Sequence, residues 1–388
     1  MFVSLPCMKP QNKIVLSLGS NLQDRKAILQ EVILHIHQDI ATVVRVTALY
    51  ETEAWGFNST PFYNCCVLLH THKSAVVLLK AFQKLEQKWG RSHKQDATSY
   101  EARTLDIDII SVEKEIIETP TLTVPHLQMQ KRNFVLVPML DLQLEWEHPI
   151  LNKNVKTLLE ECTDTGSCVK VGDLQSPWHD FDFSKFNYIA IEGNIGSGKT
   201  TLATKLSEDT NAKLVLERFA DNPFLPKFYK EPTRFAFPLE MSFLADRYKQ
   251  LTDDLSQYDL FKEFVVADYY IFKSLIFAKV TLQEDEYKLY KTLFDIMYKE
   301  IPKPELYVYL YQNTERLLQN IKKRGRSYEK EIDAVYLDKI NNGYLEYIKT
   351  QQDLQVLVID ISDYDFVKNQ SDYVAILQKI EEKISAIN

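Results

Sequence analysis

The stretch GNIGSGKT, Gly193 to Thr200, decides the fold of the second half of the chain. It fits the pattern GxxxxGK[ST], with the apolar run YIAIE, Tyr188 to Glu192, before it and the helix-forming run TLATKL, Thr201 to Leu206, after it. A strand, a glycine-rich loop and a helix in that order form an anion cradle, because glycines take positive φ and turn successive N–H groups inward. The helix that follows adds the positive end of its dipole. Gly193, Asn194, Ile195, Gly196, Ser197, Gly198, Lys199, Thr200 and Thr201 are therefore expected to hold a triphosphate. Lys199 would reach the β- and γ-phosphates and the Thr200 hydroxyl would ligand Mg²⁺. The bland alternative is a glycine-rich turn with an exposed lysine.

Working outward, short strands alternate with helices from residue 187 to residue 388. Strands are expected at Lys213 to Glu217, Phe264 to Ala267, Leu306 to Tyr311 and Gln355 to Ile361. The spacing predicts helices between them, which implies an α/β fold with a parallel sheet wrapped on both faces. Ligands of such sheets lie at the carboxyl ends of the strands. Glu217 and Asp268 stand at two of those ends, the first placed to take a proton from an attacking hydroxyl and the second to support a metal ion. Lys322-Lys-Arg-Gly-Arg326 is a basic helix end able to fold over a triphosphate.

This half resembles the deoxynucleoside kinases, especially their bacterial deoxyadenosine/deoxyguanosine kinase branch. The resemblance rests on EGNIGSGKTTLA, ERFADNPFLPKFY, FPLEMSFLADRYKQL, VVADYYIFKSLIFA and KKRGRSYEKE. It implies that Glu217 is the base for the deoxyribose 5′-hydroxyl and that Arg324 and Arg326 are lid arginines. It also implies that Tyr229 and Glu329 hold the 3′-hydroxyl, while Glu240 and Arg247 read the base. Asp268 is followed by Tyr269 and Tyr270 where the wider family has Arg-Ser, so an arginine is missing there. Glu240 stands where many members have Gln. A carboxylate at that position favours a purine, and the branch resemblance favours deoxyadenosine.

The first half reads differently. Strand and helix signals follow the order β-α-β-β-α-β, a split βαβ, ferredoxin-like α+β arrangement. The strands are expected at Asn12 to Gly19, Ala41 to Tyr50, Phe62 to His70 and Thr104 to Val112, with helices from Ile28 to Ile36 and Ser74 to Lys88. On the last strand Asp106 and Asp108 are two apart and share a face, which suits Mg²⁺ when substrate phosphates complete its shell. A solvated strand face would show the same spacing. Arg91, Arg103 and Arg132 are candidate phosphate ligands, and His126 follows Pro125 in a loop. Phe62, Asn64 and Phe134 would clamp a flat heterocycle, an aromatic on each side and an amide on its edge.

With LSLGSNLQDR, YETEAWG, FYNCC, ARTLDIDII and TVPHLQMQKRNF in view, residues 13 to 160 resemble 6-hydroxymethyl-7,8-dihydropterin pyrophosphokinase of the folate pathway. The resemblance implies transfer of the β,γ-diphosphate of ATP to a pterin alcohol, leaving AMP. It places two Mg²⁺ ions on Asp106 and Asp108, phosphates on Arg91, Arg103, His126 and Arg132, and the pterin between Phe62 and Phe134 with Asn64 on its edge. Glu86 falls near the nucleotide. Glu101-Ala102-Arg103 replaces a usual GPR, and the loop His93 to Tyr100 is altered in charge.

The expected organisation is one domain at 1–162, a linker at 163–186 rich in Gly, Ser, Asp and Pro, and a second domain at 187–388. Trp178 and Phe181 would dock the linker on one domain. The 388 residues carry a formal charge of -8, which argues against a nucleic-acid binder. Cys7, Cys65, Cys66, Cys162 and Cys168 fit neither a disulfide framework nor a zinc site, so a reducing, cytoplasmic setting is expected. No secretory signal or membrane-length apolar run is visible. The apolar helix Phe235 to Leu251 is expected to pair across a two-fold axis in a homodimer. The expected activity is thus bifunctional, with small-molecule substrates. One rival makes the first half a noncatalytic pterin-binding or dimerisation module. A nucleotide-switch GTPase is disfavoured because no DxxG or NKxD run follows the loop.

Overall fold

The computed structural model describes residues 11–56, 59–90, 103–178, 186–218, 222–256, 262, 264–326, 329 and 332–387. The chain forms two compact units, Met1–Asp180 and Phe181–Asn388.

In the first unit the described elements are β1 (Asn12–Ser20), α1 (Arg25–His35), β2 (Thr42–Val46), β3 (Leu49–Thr52), β4 (Phe62–Thr71), α2 (Ala75–Lys88), β5 (Asp106–Val112), β6 (Ile117–Glu118), β7 (Thr123–Val124), α3 (Asn133–Asp141), α4 (Val155–Glu160) and β8 (Cys168–Gly172). The main sheet runs β5-β1-β4-β3-β8, with β2 also on β4 and its pairings antiparallel. The second strand, expected as one run from Ala41 to Tyr50, is two. Between them the Thr47 hydroxyl accepts the Cys66 N–H at 2.9 Å, so the ladder is interrupted there.

Alternation on β1 sends its side chains into two different cores. Ile14, Leu16 and Leu18 join Ile107 and Ile109 of β5 beneath α1 and α2, whose Leu29, Val32, Leu78 and Phe82 are buried there. Val15 and Ile110 face the other way, onto Val135, Leu136 and Met139 of α3 and Leu158 of α4. Asp106 and Asp108 share the face that Ile110 continues.

The expected linker at 163–186 contains a strand. β8 pairs with β3 in antiparallel register, and the Trp178 indole N–H donates to Val43 O at 2.6 Å.

The second unit contains β9 (Tyr188–Gly193), α5 (Lys199–Asp209), β10 (Lys213–Val215), α6 (Leu225–Lys230), α7 (Pro232–Ser256), β11 (Val265–Ala267), α8 (Phe272–Thr281), α9 (Glu284–Tyr298), β12 (Leu306–Tyr311), α10 (Thr314–Arg324), α11 (Ala334–Thr350), β13 (Val356–Asp360) and α12 (Gln370–Ile387). Its sheet is parallel in the order β10-β11-β9-β12-β13. β9 is central, and the chain departs to one side and later returns on the other. That reversal opens a crevice at the strands' carboxyl ends, where the glycine loop sits. The core is rich in tyrosine: Tyr269, Tyr270, Tyr307, Tyr309 and Tyr344 are wholly buried, and Tyr309 stacks on Tyr344 with centroids 4.8 Å apart. Ala236, Leu239, Phe243, Leu244 and Leu251 of α7 are buried within this unit, while Phe235, Phe237 and Met241 are half-buried.

Candidate active sites

In the second unit the glycine loop joins β9 to α5 with two residues in the left-handed region. Gly196 has φ +85°, and Gly198, the N-cap of α5, has φ +89°. A Cβ on Gly198 would lie 2.8 Å from the Phe366 ring. Asn194 is wholly buried and holds the loop from behind, its amide donating to Leu337 O and Asn341 Oδ1, both at 2.8 Å. Lys199 Nζ donates to Asn194 O at 3.0 Å, curling over the loop as over an anion. Burial, then the neighbouring Lys273, pulls the Lys199 ammonium down to about 8. A phosphate chain would reverse that trend. The Ser197 hydroxyl is buried and has no partner among the described residues. Thr201 sits one residue further along α5 and does not line the cleft.

Opposite the loop, a cleft enclosing about 840 Å³, open mouth included, is lined by Lys199, Thr200, Glu217, Tyr229, Glu240, Arg247, Asp268, Lys273, Arg324, Arg326 and Glu329 among others. The structure thus brings together every candidate named from the second half except Thr201 and parts of the loop backbone. Thr200 Oγ1 donates to Asp268 Oδ2 at 2.5 Å, and Asp268 Oδ1 accepts the Glu217 N–H at 2.8 Å. One carboxylate therefore ties the helix start to the end of the β10 segment.

Glu217 is gripped by two cations. Arg247 Nε and Nη2 donate to Oε1 at 2.8 and 2.6 Å, and Lys273 Nζ donates to Oε2 at 2.5 Å. Burial alone would raise the Glu217 carboxyl, but Lys273 and Arg247 outweigh it and hold the group well below the ordinary range. Arg247 spends Nη1 on Ser274 Oγ at 2.7 Å. Its guanidinium, expected at the base, lines the same cleft and is built into the support of Glu217.

Glu240 lies deeper on α7 and is 2% exposed. Thr281 Oγ1 donates to Oε1 at 3.0 Å, whereas Oε2 is buried with no partner among the described residues. Burial pushes its carboxyl up to about 7, against the pull of Arg247. Arg324, at the end of α10, and Arg326 both close on Glu329. Arg324 donates through Nε at 3.0 Å and Nη2 at 2.6 Å, and Arg326 through Nη1 at 3.2 Å. Tyr229, on α6, packs edge-on against Phe228 at 5.5 Å.

In the first unit Asp106 Oδ1 accepts from Arg103 Nη1 at 2.6 Å, and Asp108 Oδ2 accepts from Arg132 Nη1 at 3.5 Å. His126 Nε2 is 4.0 Å from the same Asp108 oxygen. Burial, and then the neighbouring Asp106, push the Asp108 carboxyl up to about 7, while burial and Arg132 pull His126 down to about 4. Two acids in one half-buried face cannot comfortably ionise together, which is the condition a divalent cation relieves. Glu86 is buried, and its Oε1 accepts the Ile107 N–H at 3.0 Å, bracing β5 between the two aspartates.

Asn64 is buried on β4 and donates to Thr52 Oγ1 at 2.7 Å. A Cβ on Gly19 across the ladder would come within 2.8 Å of Asn64 Oδ1. Phe62 shares that face of β4, half-buried, and Phe134 opens α3 beneath the Arg132 guanidinium at 5.5 Å. Arg91, with the loop His93 to Tyr100, lies outside the described residues.

The deoxynucleoside kinase family profile matches residues 189–385, and that of 7,8-dihydro-6-hydroxymethylpterin-pyrophosphokinase matches residues 15–144. The chain belongs to both families. The kinase half is 41% identical over 201 residues to the deoxyguanosine kinase of Bacillus subtilis, covering 51% of this chain and 97% of that protein. It is 33% identical over 187 residues to the deoxyadenosine kinase of Dictyostelium discoideum, covering 46% of this chain and 74% of that protein. The pyrophosphokinase half is 37% identical over 139 residues to 2-amino-4-hydroxy-6-hydroxymethyldihydropteridine pyrophosphokinase of Porphyromonas gingivalis, covering 35% of this chain and 93% of that protein.

Sequence reasoning missed several residues of both sites. In the kinase half, Lys273 was hidden inside an apolar helix, and Glu192 reads as a strand end although it is wholly buried and accepts from Tyr270 N–H and Tyr344 OH. In the pyrophosphokinase half, Asn21 Oδ1 accepts the Arg103 N–H at 2.6 Å, and the Arg132 guanidinium lies 4.9 Å over Trp55. Asn21 and Trp55 fall within the quoted motifs SNLQDR and YETEAWG, and that was the available signal.

Proposed function

We propose that the chain is a bifunctional ATP-dependent transferase acting through two independent sites. The kinase half phosphorylates the 5′-hydroxyl of a purine deoxynucleoside. The pyrophosphokinase half transfers a diphosphate from ATP to 6-hydroxymethyl-7,8-dihydropterin. The observation that carries the first reading is the meeting of Lys199, Thr200, Asp268 and Glu217 on one cleft. Glu217 takes the proton of the 5′-hydroxyl as that oxygen bonds to the γ-phosphorus and the bond to ADP breaks. Lys199 and the loop amides hold the phosphates, and Arg324 and Arg326 turn to them when Glu329 engages the sugar alongside Tyr229. Thr200, its hydroxyl fixed by Asp268, would hold the Mg²⁺ that accompanies ATP. When bound, that ion neutralises phosphate charge.

The finer reading is deoxyadenosine. A buried Glu240 that keeps its proton offers one donor and one acceptor through Oε2 and Oε1, which complements the ring nitrogen and N6–H₂ of adenine. A second reading, deoxyguanosine, is favoured by the 41% identity to the Bacillus subtilis enzyme and by the ionised carboxylate, which accepts from guanine N1–H and N2–H₂.

In the other half we read the β5-β1-β4-β3 order as the ferredoxin-like arrangement, with β8 added at its edge. Asp106 and Asp108 would hold Mg²⁺, which when bound draws the phosphates of ATP into place. Arg103, Arg132 and His126 neutralise phosphate oxygens, with Arg91 a further candidate. Phe62, Phe134 and Asn64 position the pterin.

Four deoxynucleosides and the pterin alcohol, each supplied with ATP and scored for ADP against AMP, test both halves. Lys199→Ala should abolish ADP formation and leave AMP formation intact; Asp106→Ala should do the converse. AMP formation unchanged by Asp106→Ala would remove the metal assignment. Loss of both activities from either change would show that the sites are coupled.

A further inference from the structure

The wider kinase pattern places an arginine directly after the acidic residue that ends the third strand, and this chain has Tyr269 there. The tyrosine cannot stand in for it, because its ring is wholly buried in the tyrosine-rich core. The charge is nevertheless present in the cleft, displaced onto the next helix. Lys273 projects from the first turn of α8 into the lining of the cleft, its side chain only 10% exposed, and its ammonium meets Glu217 Oε2 at 2.5 Å. The Phe277 ring lies 5.5 Å from that ammonium.

The two oxygens of Glu217 are not equivalent. Oε1 takes both Arg247 contacts, at 2.8 and 2.6 Å, and Arg247 is anchored again on Ser274, so this side of the carboxylate is fixed. Oε2 receives Lys273, a single flexible ammonium with rotatable donors, which can shift as a hydroxyl approaches. A buried lysine with no such role would be an expensive way to fill an apolar helix face. The neighbouring α8 residues Phe272, Leu275, Ile276 and Ala278 are buried and apolar.

Resting on the nucleoside kinase reading above, we propose that Lys273 is a positioning residue for phosphoryl transfer: it replaces the missing arginine, holds Glu217 as an anion and aims Oε2 at the substrate hydroxyl. Arg247 fixes the other edge of the same carboxylate. In the transfer the 5′-O–H bond breaks and its proton passes to Oε2. The 5′-oxygen bonds to the γ-phosphorus, and the bond to ADP breaks with its electron pair on ADP. As Oε2 becomes neutral, the Lys273 charge is released from its ion pair beside the transferring group.

The full chain is assayed with ATP and whichever deoxynucleoside the wild type phosphorylates best. Lys273→Met should lower kcat on the order of 100-fold while KM for ATP and for the nucleoside stay within about threefold. Lys273→Arg, which keeps the cation, should recover kcat to within about tenfold of wild type. A kcat of Lys273→Met within about threefold of wild type overturns the proposal, as does a loss confined to KM. Equal loss of kcat in the arginine and methionine variants also overturns it. If thermal melting shows the methionine variant unfolded, Lys273→Gln takes its place in the comparison with Lys273→Arg, and the same outcomes decide. A wild-type chain that phosphorylates none of the nucleosides would refute the kinase reading itself, a result separate from any contrast among Lys273 variants.

Discussion

Two glutamates lining one cleft carry opposite protonation tendencies, and their neighbours explain why. Glu217 is buried but met by Lys273 and Arg247, so it stays ionised. Burial raises the Glu240 carboxyl to about 7, with Thr281 donating to one oxygen and no partner for the other among the described residues. Arg247, Lys273, Glu217, Tyr290 and Tyr336 are the titratable groups around Glu240. A raised carboxyl means that the folded state binds its proton more tightly than the unfolded chain does. Its contribution to stability is present below the unfolded value near 4.5 and is lost as pH rises through about 7. Glu240→Gln removes that loss. The variant should melt near wild type at pH 5 and above it at pH 8, by a difference corresponding to roughly 3 kcal/mol at most. Equal melting-point differences at the two pH values would show that Glu240 does not titrate in this range. The same ionisation should lower the deoxyadenosine-to-deoxyguanosine rate ratio of the wild type between pH 6 and pH 8.5, and Glu240→Gln should flatten that trend. A ratio equally pH-dependent in both proteins would take Glu240 out of the base pocket.

At the scale of elements, the loop between β9 and α5 shows how backbone conformation makes the site. Gly198 needs its φ of +89° to start the helix, and the Phe366 ring occupies the space a Cβ would take. Gly198→Ala should therefore cost about 1–3 kcal/mol in the unfolding of the second unit and raise KM for ATP. Urea unfolding followed by circular dichroism checks it, and an alanine variant as stable as wild type would mean that the loop relaxes freely. This loop was readable because its pattern depends on local backbone geometry. β1, α2, β5 and the parallel sheet were readable for a related reason, since their apolar periodicity is strong. β8 was not, because Cys168–Gly172 is only five residues long and half to fully exposed, so no core face marks it. α3 and α4 were missed because the reading supplied only one buried face of the first sheet, whereas β1 feeds two cores. Within the kinase site, residue types were legible but partners were not. Arg247 was expected at the nucleobase, yet a distance of 30 positions in sequence gives no hint that it closes on Glu217.

For the whole molecule, the question is where one unit ends. Composition ends the first domain at residue 162 and leaves 163–186 as a linker, since that stretch is rich in Gly, Ser, Asp and Pro. The contacts place β8 and Trp178 with the first unit, whose compact body runs to Asp180. β8 covers the outer edge of β3, and Asp164, in the same stretch, accepts the Asn133 N–H at the start of α3 at 3.0 Å. A fragment of residues 1–162 would thus lose the partner of an edge strand and the carboxylate that meets the first N–H of α3. Exposed strand edges are templates for association. A fragment of residues 1–180 keeps both. We expect the longer fragment to be monodisperse and to form AMP from ATP and the pterin alcohol, and the shorter to melt lower and aggregate during size-exclusion chromatography. If the two fragments behave alike, β8 is a passive tether and the boundary drawn from composition is the functional one.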